Sequence, residues 1–327
     1  MPGLNTMMEH LDAREPVISC EKLCKTYARR IVAVDKLDLM VFKGEIFGLL
    51  GPNGAGKTTT VGMLTTLVIP TSGKASVAGI DVVAHPELVK QIIGVVSQVN
   101  NLDRSLTVWE NLYYHGLFFG MSSKESRSAA DDLLVEFRLQ DRAKADVSTI
   151  SGGMARRLQV ARALMHKPSV LFLDEPTTGL DPQTRITLWD ILRNLHNQGQ
   201  TILMTTHYME EADSMCDRLA IMDHGRILAL DTPEKLKESA GVDSIITLAS
   251  GGNLEALERL VQQNLVGVAE SRRTDGRLQI SVKAMGGVIP KLLTAAEEVG
   301  LSISDLTVSK PTLETVFIKL TGKELRE

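Results

Sequence analysis

Gly51-Pro52-Asn53-Gly54-Ala55-Gly56-Lys57-Thr58 follows the pattern G-x-x-x-x-G-K-[ST]. A loop of this type bends so that consecutive backbone N–H groups point inward. Those donors, with the positive end of a following helix, hold a polyphosphate. In that chemistry Lys57 reaches the β- and γ-phosphates and the Thr58 hydroxyl ligates Mg²⁺. A second group, Asp174-Glu175, closes the apolar run Val170-Leu171-Phe172-Leu173. An aspartate at the end of a buried strand can hold Mg²⁺, directly or through water. A glutamate beside it can polarise a water against the γ-phosphate. Ser151-Gly152-Gly153 opens a helix that carries Arg156, Arg157 and Arg162. Alone it is an N-cap with a flexible turn, and a helix N-terminus is also an anion site. An isolated Asp-Glu or Ser-Gly-Gly is ordinary; the combination with a phosphate loop is specific.

These groups need particular elements to hold them. Glu45 to Leu50 reads as a buried strand leading into the loop, and Thr58 to Leu67 as a helix leaving it. Before them, Pro16 to Tyr27, Val32 to Asp35 and Leu37 to Val41 read as β-structure, and Val77 to Val82 and Ile92 to Ser97 as two short strands after. From about 99 to 165 the pattern turns helical. Thr107 with Glu110 forms a capping box, Ser126 to Phe137 has helical spacing, and Met154 to Leu164 follows Ser151-Gly152-Gly153. Val170 to Asp174 and Thr201 to Thr205 read as parallel strands buried on both faces, with helices at Thr184 to Asn197 and Met209 to Met215. Arg218 to Asp223 and Gly225 to Asp231 read as a closing hairpin. The alternation predicts an α/β fold with a mostly parallel sheet core, an N-terminal antiparallel β part and a helical insertion.

Pro233 to Val242 reads as a boundary. The expected organisation is a tail at 1–15, a nucleotide-binding domain at 16–233 and an accessory domain at 234–327. The last part runs strand (Ser244 to Ala249), helix (Leu254 to Asn264), strand (Gly267 to Arg272), a turn at Thr274-Asp275-Gly276, strand (Arg277 to Val282), helix (Ile289 to Val299) and strand (Leu301 to Val308). That βαββαβ order is a small α+β, ferredoxin-like arrangement. A last helix, Thr312 to Leu320, follows Pro311, and no catalytic constellation lies in this part.

Composition narrows the classes. The 327 residues suffice for two domains. A formal charge of −4 and 4% aromatic residues give neither a basic field nor a stacking surface, so no nucleic-acid partner is expected. No apolar run approaches a membrane span, and Met1 to Arg14 does not read as a signal peptide. Cys20, Cys24 and Cys216 suit a reducing compartment and form no metal-binding pattern, so a cytosolic chain is expected.

Six motifs in order resemble the nucleotide-binding subunit of an ATP-binding cassette (ABC) transporter, over about residues 16–233. They are Gly51 to Thr59; Gln98 ending a strand; Ile150-Ser151-Gly152-Gly153-Met154; Leu171-Phe172-Leu173-Asp174-Glu175-Pro176; Gly179-Leu180-Asp181; and His207 ending a strand. The resemblance implies a P-loop ABC cassette that binds ATP and Mg²⁺. Through it, Tyr27 stacks on adenine, and Gly51, Pro52, Asn53, Gly54, Ala55, Gly56, Lys57, Thr58 and Thr59 hold the phosphates. Thr58, Gln98 and Asp174 attend the metal, with Glu175, His207 and Gln98 around the attacking water and the γ-phosphate. It also implies a head-to-tail homodimer with two ATP molecules between the copies. Ser151 and Gly153 of one copy would then face the γ-phosphate bound by the other copy's Lys57, with Gly152 between them counted among the nucleotide-binding residues and Asp181 in the loop that crosses between the copies. Met154 stands where the family usually has glutamine, and methionine cannot supply the amide's hydrogen bonds. Met154 and the ending Pro311-Thr312-Leu313-Glu314-Thr315-Val316-Phe317 resemble the daunorubicin-resistance type of exporter ATPase. Such a subunit works at the cytoplasmic face of the membrane with a separate transmembrane permease, exporting drugs, lipids or polysaccharides. The alternatives are a soluble ABC ATPase acting on ribosomes or DNA, whose relatives usually carry two cassettes or a long coiled coil, and an importer ATPase.

Overall fold

Five of the first unit's β-strands lie side by side and parallel, so that their C-terminal ends form one rim. A computed structural model describes residues 15–250, 254–265, 267–274, 276–283 and 286–322. The tail before residue 15 and the turn residue Asp275 lie outside the described residues. Two compact units divide between Thr232 and Pro233. Among the described residues no helix is long and apolar enough to cross a membrane.

The first unit begins with β1 (Pro16–Tyr27) and β2 (Ile31–Phe42), then β3 (Ile46–Leu50) and α1 (Lys57–Leu64). Next come β4 (Ser72–Val77), β5 (Ile80–Asp81), α2 (Pro86–Ile92) and β6 (Ile93–Val96). The helical stretch holds α3 (Val108–Phe118), α4 (Ser123–Glu136) and α5 (Gly152–Leu164). The core resumes with β7 (Val170–Asp174), α6 (Pro182–Asn197), β8 (Thr201–Thr206) and α7 (Met209–Met215), and ends in β9 (Arg218–Asp223) and β10 (Arg226–Asp231).

The central sheet has the order β10-β9-β3-β8-β7-β6. Its strands are parallel except β10, which forms an antiparallel hairpin with β9. Every residue of β3, β7 and β8 is buried, as expected of strands covered on both faces. A second, antiparallel sheet has the order β2-β1-β4-β5. Ile18, Leu39 and Val41 of that sheet share one core with Phe47, Val61, Phe172, Leu203 and Ala220.

Local chemistry sets several boundaries. The strand expected at Val77 to Val82 is instead a hairpin joint between β4 and β5. Ala78 and Gly79 both have positive φ, +49° and +77°, which reverses the chain. Helix α4 starts earlier than the apolar spacing suggests, because Ser122 and Glu125 form a capping box. Helix α1 stops at Leu64, short of Leu67, and Thr66 follows with φ +64°.

The second unit opens with α8 (Pro233–Ser239), followed by β11 (Ser244–Ser250), α9 (Leu254–Asn264), β12 (Val268–Thr274) and β13 (Arg277–Val282). It ends with α10 (Val288–Glu298), β14 (Ile303–Ser309) and α11 (Leu313–Thr321). The sheet order is β12-β13-β11-β14, all antiparallel, which is the split βαβ topology. Ile246, Leu248, Leu278 and Ile280 of the sheet pack with Leu257, Val261 and Leu292 of the helices.

The Thr107 cap of α3 gives a direct check on the helical stretch. Its hydroxyl accepts from the Glu110 N–H at 3.2 Å, and the Glu110 carboxylate accepts from the Thr107 N–H at 2.8 Å. Thr107→Ala is expected to lower stability by about 1 kcal/mol, read by urea denaturation, whereas Thr107→Ser stays near the parent. Equal stability of the alanine variant would contradict the cap.

Candidate active site

The phosphate loop bridges β3 and α1, and its shape is enforced from outside. Gly56 has φ +102°, and a Cβ there would sit 2.4 Å from the Ala33 carbonyl of β2. No other residue type fits both demands. The hairpin turn between β9 and β10 supports the loop, with the Gly225 N–H donating to the Ala55 carbonyl at 3.0 Å. On the other side, the Gly51 N–H donates to the carbonyl of Thr206, the last residue of β8, at 3.2 Å.

Lys57 is the first residue of α1 and only 4% exposed. Its ammonium donates to the carbonyls of Gly51 at 2.7 Å and Pro52 at 3.1 Å and lies 3.5 Å from the Glu175 carboxylate. Burial lowers its pKa, and the charges of Glu175 and Asp174 oppose that shift. The first turn of α1 leaves its N–H groups without helical acceptors, so amides and ammonium face one space. Thr59 sits in that turn, half-buried.

Asp174 ends β7 and Glu175 follows it, both buried. Each is held by neighbours on the same rim. Thr205 of β8 donates its hydroxyl to Asp174 Oδ1 at 2.5 Å and accepts the Glu175 N–H at 2.9 Å. The Thr58 hydroxyl donates to the same Asp174 oxygen at 3.3 Å. Gln98, just beyond β6, donates its amide to Glu175 Oε2 at 3.3 Å, and the Thr178 hydroxyl donates there at 3.2 Å. His207 follows β8 and brings Nδ1 to 3.3 Å from Glu175 Oε1. That approach lacks hydrogen-bond alignment, and the buried nitrogen has no hydrogen-bond partner. Glu175 also has φ +45°, a left-handed conformation that costs a side-chain-bearing residue about 1–3 kcal/mol.

One pocket is lined by Asn53, Gly54, Ala55, Gly56, Lys57, Thr58, Gln98 and Glu175. Thr58 and Gln98 of its lining, with Asp174 hydrogen-bonded to Thr58, carry oxygen atoms of the kind a hard divalent cation takes. Among the described residues no group of three or more His, Cys, Asp or Glu could hold a metal by itself. That fits Mg²⁺, which takes one or two carboxylates and completes its shell from water and substrate phosphates. Thr205 and Thr178 were not singled out from the sequence. A polar pair, Thr205-Thr206, at the end of the buried run Thr201 to Met204 is the signal that could have found the first.

Ten of the expected residues do not line this pocket: Gly51, Pro52, Thr59, Asp174 and His207 adjoin its lining in sequence or by the contacts above, whereas Ser151, Gly152, Gly153, Asp181 and Tyr27 belong to other elements. Ser151 caps α5 by accepting the Met154 N–H at 3.3 Å, with Gly152 and Gly153 in the first turn. Asp181 caps α6 by accepting the Thr184 N–H at 3.0 Å. The two caps are adjacent, since a Cβ on Gly153 would lie 2.2 Å from Thr184 Cγ2. Tyr27 ends β1 with 42% of its surface exposed and the Lys25 ammonium 5.0 Å from its ring centre.

Comparison with known proteins points to one family. The ABC transporter family profile matches residues 34–178. A daunorubicin resistance ATP-binding protein of Streptomyces coeruleorubidus is 42% identical over 296 residues, spanning 90% of this chain and 92% of that protein. A Nod factor export ATP-binding protein I of Rhizobium sp. (strain N33) is 41% identical over 308 residues, spanning 93% and 96%. A solved dimeric ATP-binding cassette, in a post-hydrolysis state with ADP and Pi, superposes with a TM-score of 0.61 at 27% identity, over 66% of this chain and 98% of that one. With a phosphate loop, a strand-end acid pair and relatives this similar along nearly their whole length, the chain belongs to the ABC transporter family, as one of its ATP-hydrolysing subunits.

Proposed function

We propose that this chain energises export across a membrane, working as a peripheral subunit at the cytoplasmic face with a separate permease. The reading is supported by near-full-length similarity to ATP-binding proteins named for daunorubicin resistance and Nod factor export. Drugs, lipids and polysaccharide-like molecules are the cargo classes that follow.

The site chemistry is carried by one observation: Lys57, Gln98 and His207 converge on the two oxygens of Glu175. In the proposed reaction the amides of Asn53 to Thr59 and the Lys57 ammonium hold the β- and γ-phosphates. Glu175 accepts a proton from water as it attacks the γ-phosphorus, and ADP leaves. Gln98 and Thr178 fix the carboxylate that receives the proton. His207, beside the same carboxylate, is the residue that would contact the γ-phosphate, and Tyr27 offers an exposed ring to adenine. Thr58, Asp174 and Gln98 would hold Mg²⁺, which neutralises phosphate charge when bound.

Ser151, Gly152, Gly153 and Asp181 belong to the site of a second copy. Their caps sit at helix N-termini, where negative charge is favoured, yet they lie outside the pocket of their own loop. Two copies head to tail would place each cap against the nucleotide held by the other. ATP then favours the closed pair, and loss of the γ-phosphate removes the contacts that favour closure.

Glu175→Gln is expected to keep ATP affinity and lower turnover by about 10²–10⁴-fold, measured by equilibrium nucleotide binding and steady-state phosphate release. Turnover near the parental rate would remove Glu175 as the base. Purification of the tagged chain from native membranes in mild detergent is expected to bring down a stoichiometric multi-span protein, identified by mass spectrometry. Ribosomal or DNA-repair partners with no membrane protein would contradict the export reading.

A further inference from the structure

Helix α5 carries Arg156, Gln159 and Arg162 three residues apart, so they share one face. Together they grip the segment that carries Gln98, at alternate carbonyls. Arg156 Nη1 donates to the Ser97 carbonyl at 2.6 Å, Gln159 Nε2 to Val99 at 3.3 Å and Arg162 Nη1 to Asn101 at 2.9 Å.

Arg156 reaches a second segment as well. Its Nη2 donates to the carbonyls of Asp174 at 3.0 Å and Glu175 at 3.1 Å, and its Nε to that of Pro176 at 2.7 Å. The side chain is 8% exposed, and Gln159 Oε1 accepts from Nη1 at 3.1 Å. A single planar fork therefore spans the backbone on both sides of the pocket. One of the carbonyls it holds belongs to Glu175, whose φ of +45° needs outside support. Burial lowers the guanidinium pKa to about 10, against the pull of Asp174 and Glu211, so it stays charged at neutral pH.

We propose that Arg156 is a positioning residue for hydrolysis: it fixes the backbone of Glu175 and of the Gln98 segment in one register and ties both to the helix that Ser151 caps. The proposal rests on the reading of Glu175 as the base. It gives α5 a second duty, because any shift of the helix at its Ser151 end moves the support of Glu175 in the same copy. Lysine cannot replace the fork, since its donors radiate from a single nitrogen.

The test is ATP hydrolysis by the full chain carrying Arg156→Lys or Arg156→Gln, alone and with Glu175→Gln. In the single variants kcat is expected to fall about tenfold or more, with KM for ATP within about threefold of the parent, because the phosphate loop is untouched. The Arg156→Lys chain keeps a buried cation and should stay folded at the assay temperature by circular dichroism, with a lowered melting temperature, so that if Arg156→Gln fails to fold the lysine variant decides. With Glu175→Gln present, adding Arg156→Lys should slow single-turnover hydrolysis by clearly less than it does alone, since Glu175, one of the two groups it positions, is already disabled. Full multiplicative loss in the double variant would overturn the proposal. So would a parental kcat in Arg156→Lys, or a loss carried by KM. The base reading fails separately, when Glu175→Gln alone turns over at the parental rate.

Discussion

A carboxylate reaches only a few ångströms, and that short reach constrains this cassette. Glu175 has to meet Lys57, Gln98, Thr178 and His207 within 3.5 Å, and three of these come from chain segments far from it in sequence. Parallel strands solve the problem. β3, β8, β7 and β6 are consecutive neighbours, so the phosphate loop, His207, Asp174-Glu175 and Gln98 all emerge along one rim. The rest of the first unit serves that alignment. Burial on both faces fixes the register of the strands, and the antiparallel sheet closes the core and presses Ala33 against Gly56. Backbone that a ligand must approach closely is thereby shaped before the ligand arrives.

Pairing along the rim also distributes charge. Lys57 is buried against Glu175 and two carbonyls, so its ammonium is compensated within the protein and points into the pocket. Asp174 accepts from two threonine hydroxyls. His207 keeps a buried nitrogen without a hydrogen-bond partner beside the same carboxylate. These unequal environments are what a site needs to respond to the gain and loss of one phosphate.

Much of this was legible in the sequence because the informative signals are local. The phosphate loop, the apolar run before Asp174 and the Thr107 capping box each lie within a few residues, and the βαββαβ order of the second unit follows from alternating periods. The parts that were not legible depend on contacts across the chain. Thr205 matters because β8 is the neighbour of β7, and no spacing in sequence reports which strands are adjacent. Arg156 looks like one arginine among three until its fork is seen on carbonyls near residues 97 and 175. The turn at Ala78-Gly79 resembles strand in sequence because its flanks are apolar, although Gly79 carries the signal for a reversal.

The proposed pairing sets the phosphate loop of one copy against the Ser151 cap of another. The direct measurement mixes two inactive chains, Lys57→Ala and Ser151→Ala, and follows ATP hydrolysis. A mixed pair contains one site built from an intact Lys57 and an intact Ser151, so activity is expected to return on mixing. A mixture as inactive as either chain alone, with mixed pairs shown to form, would contradict it.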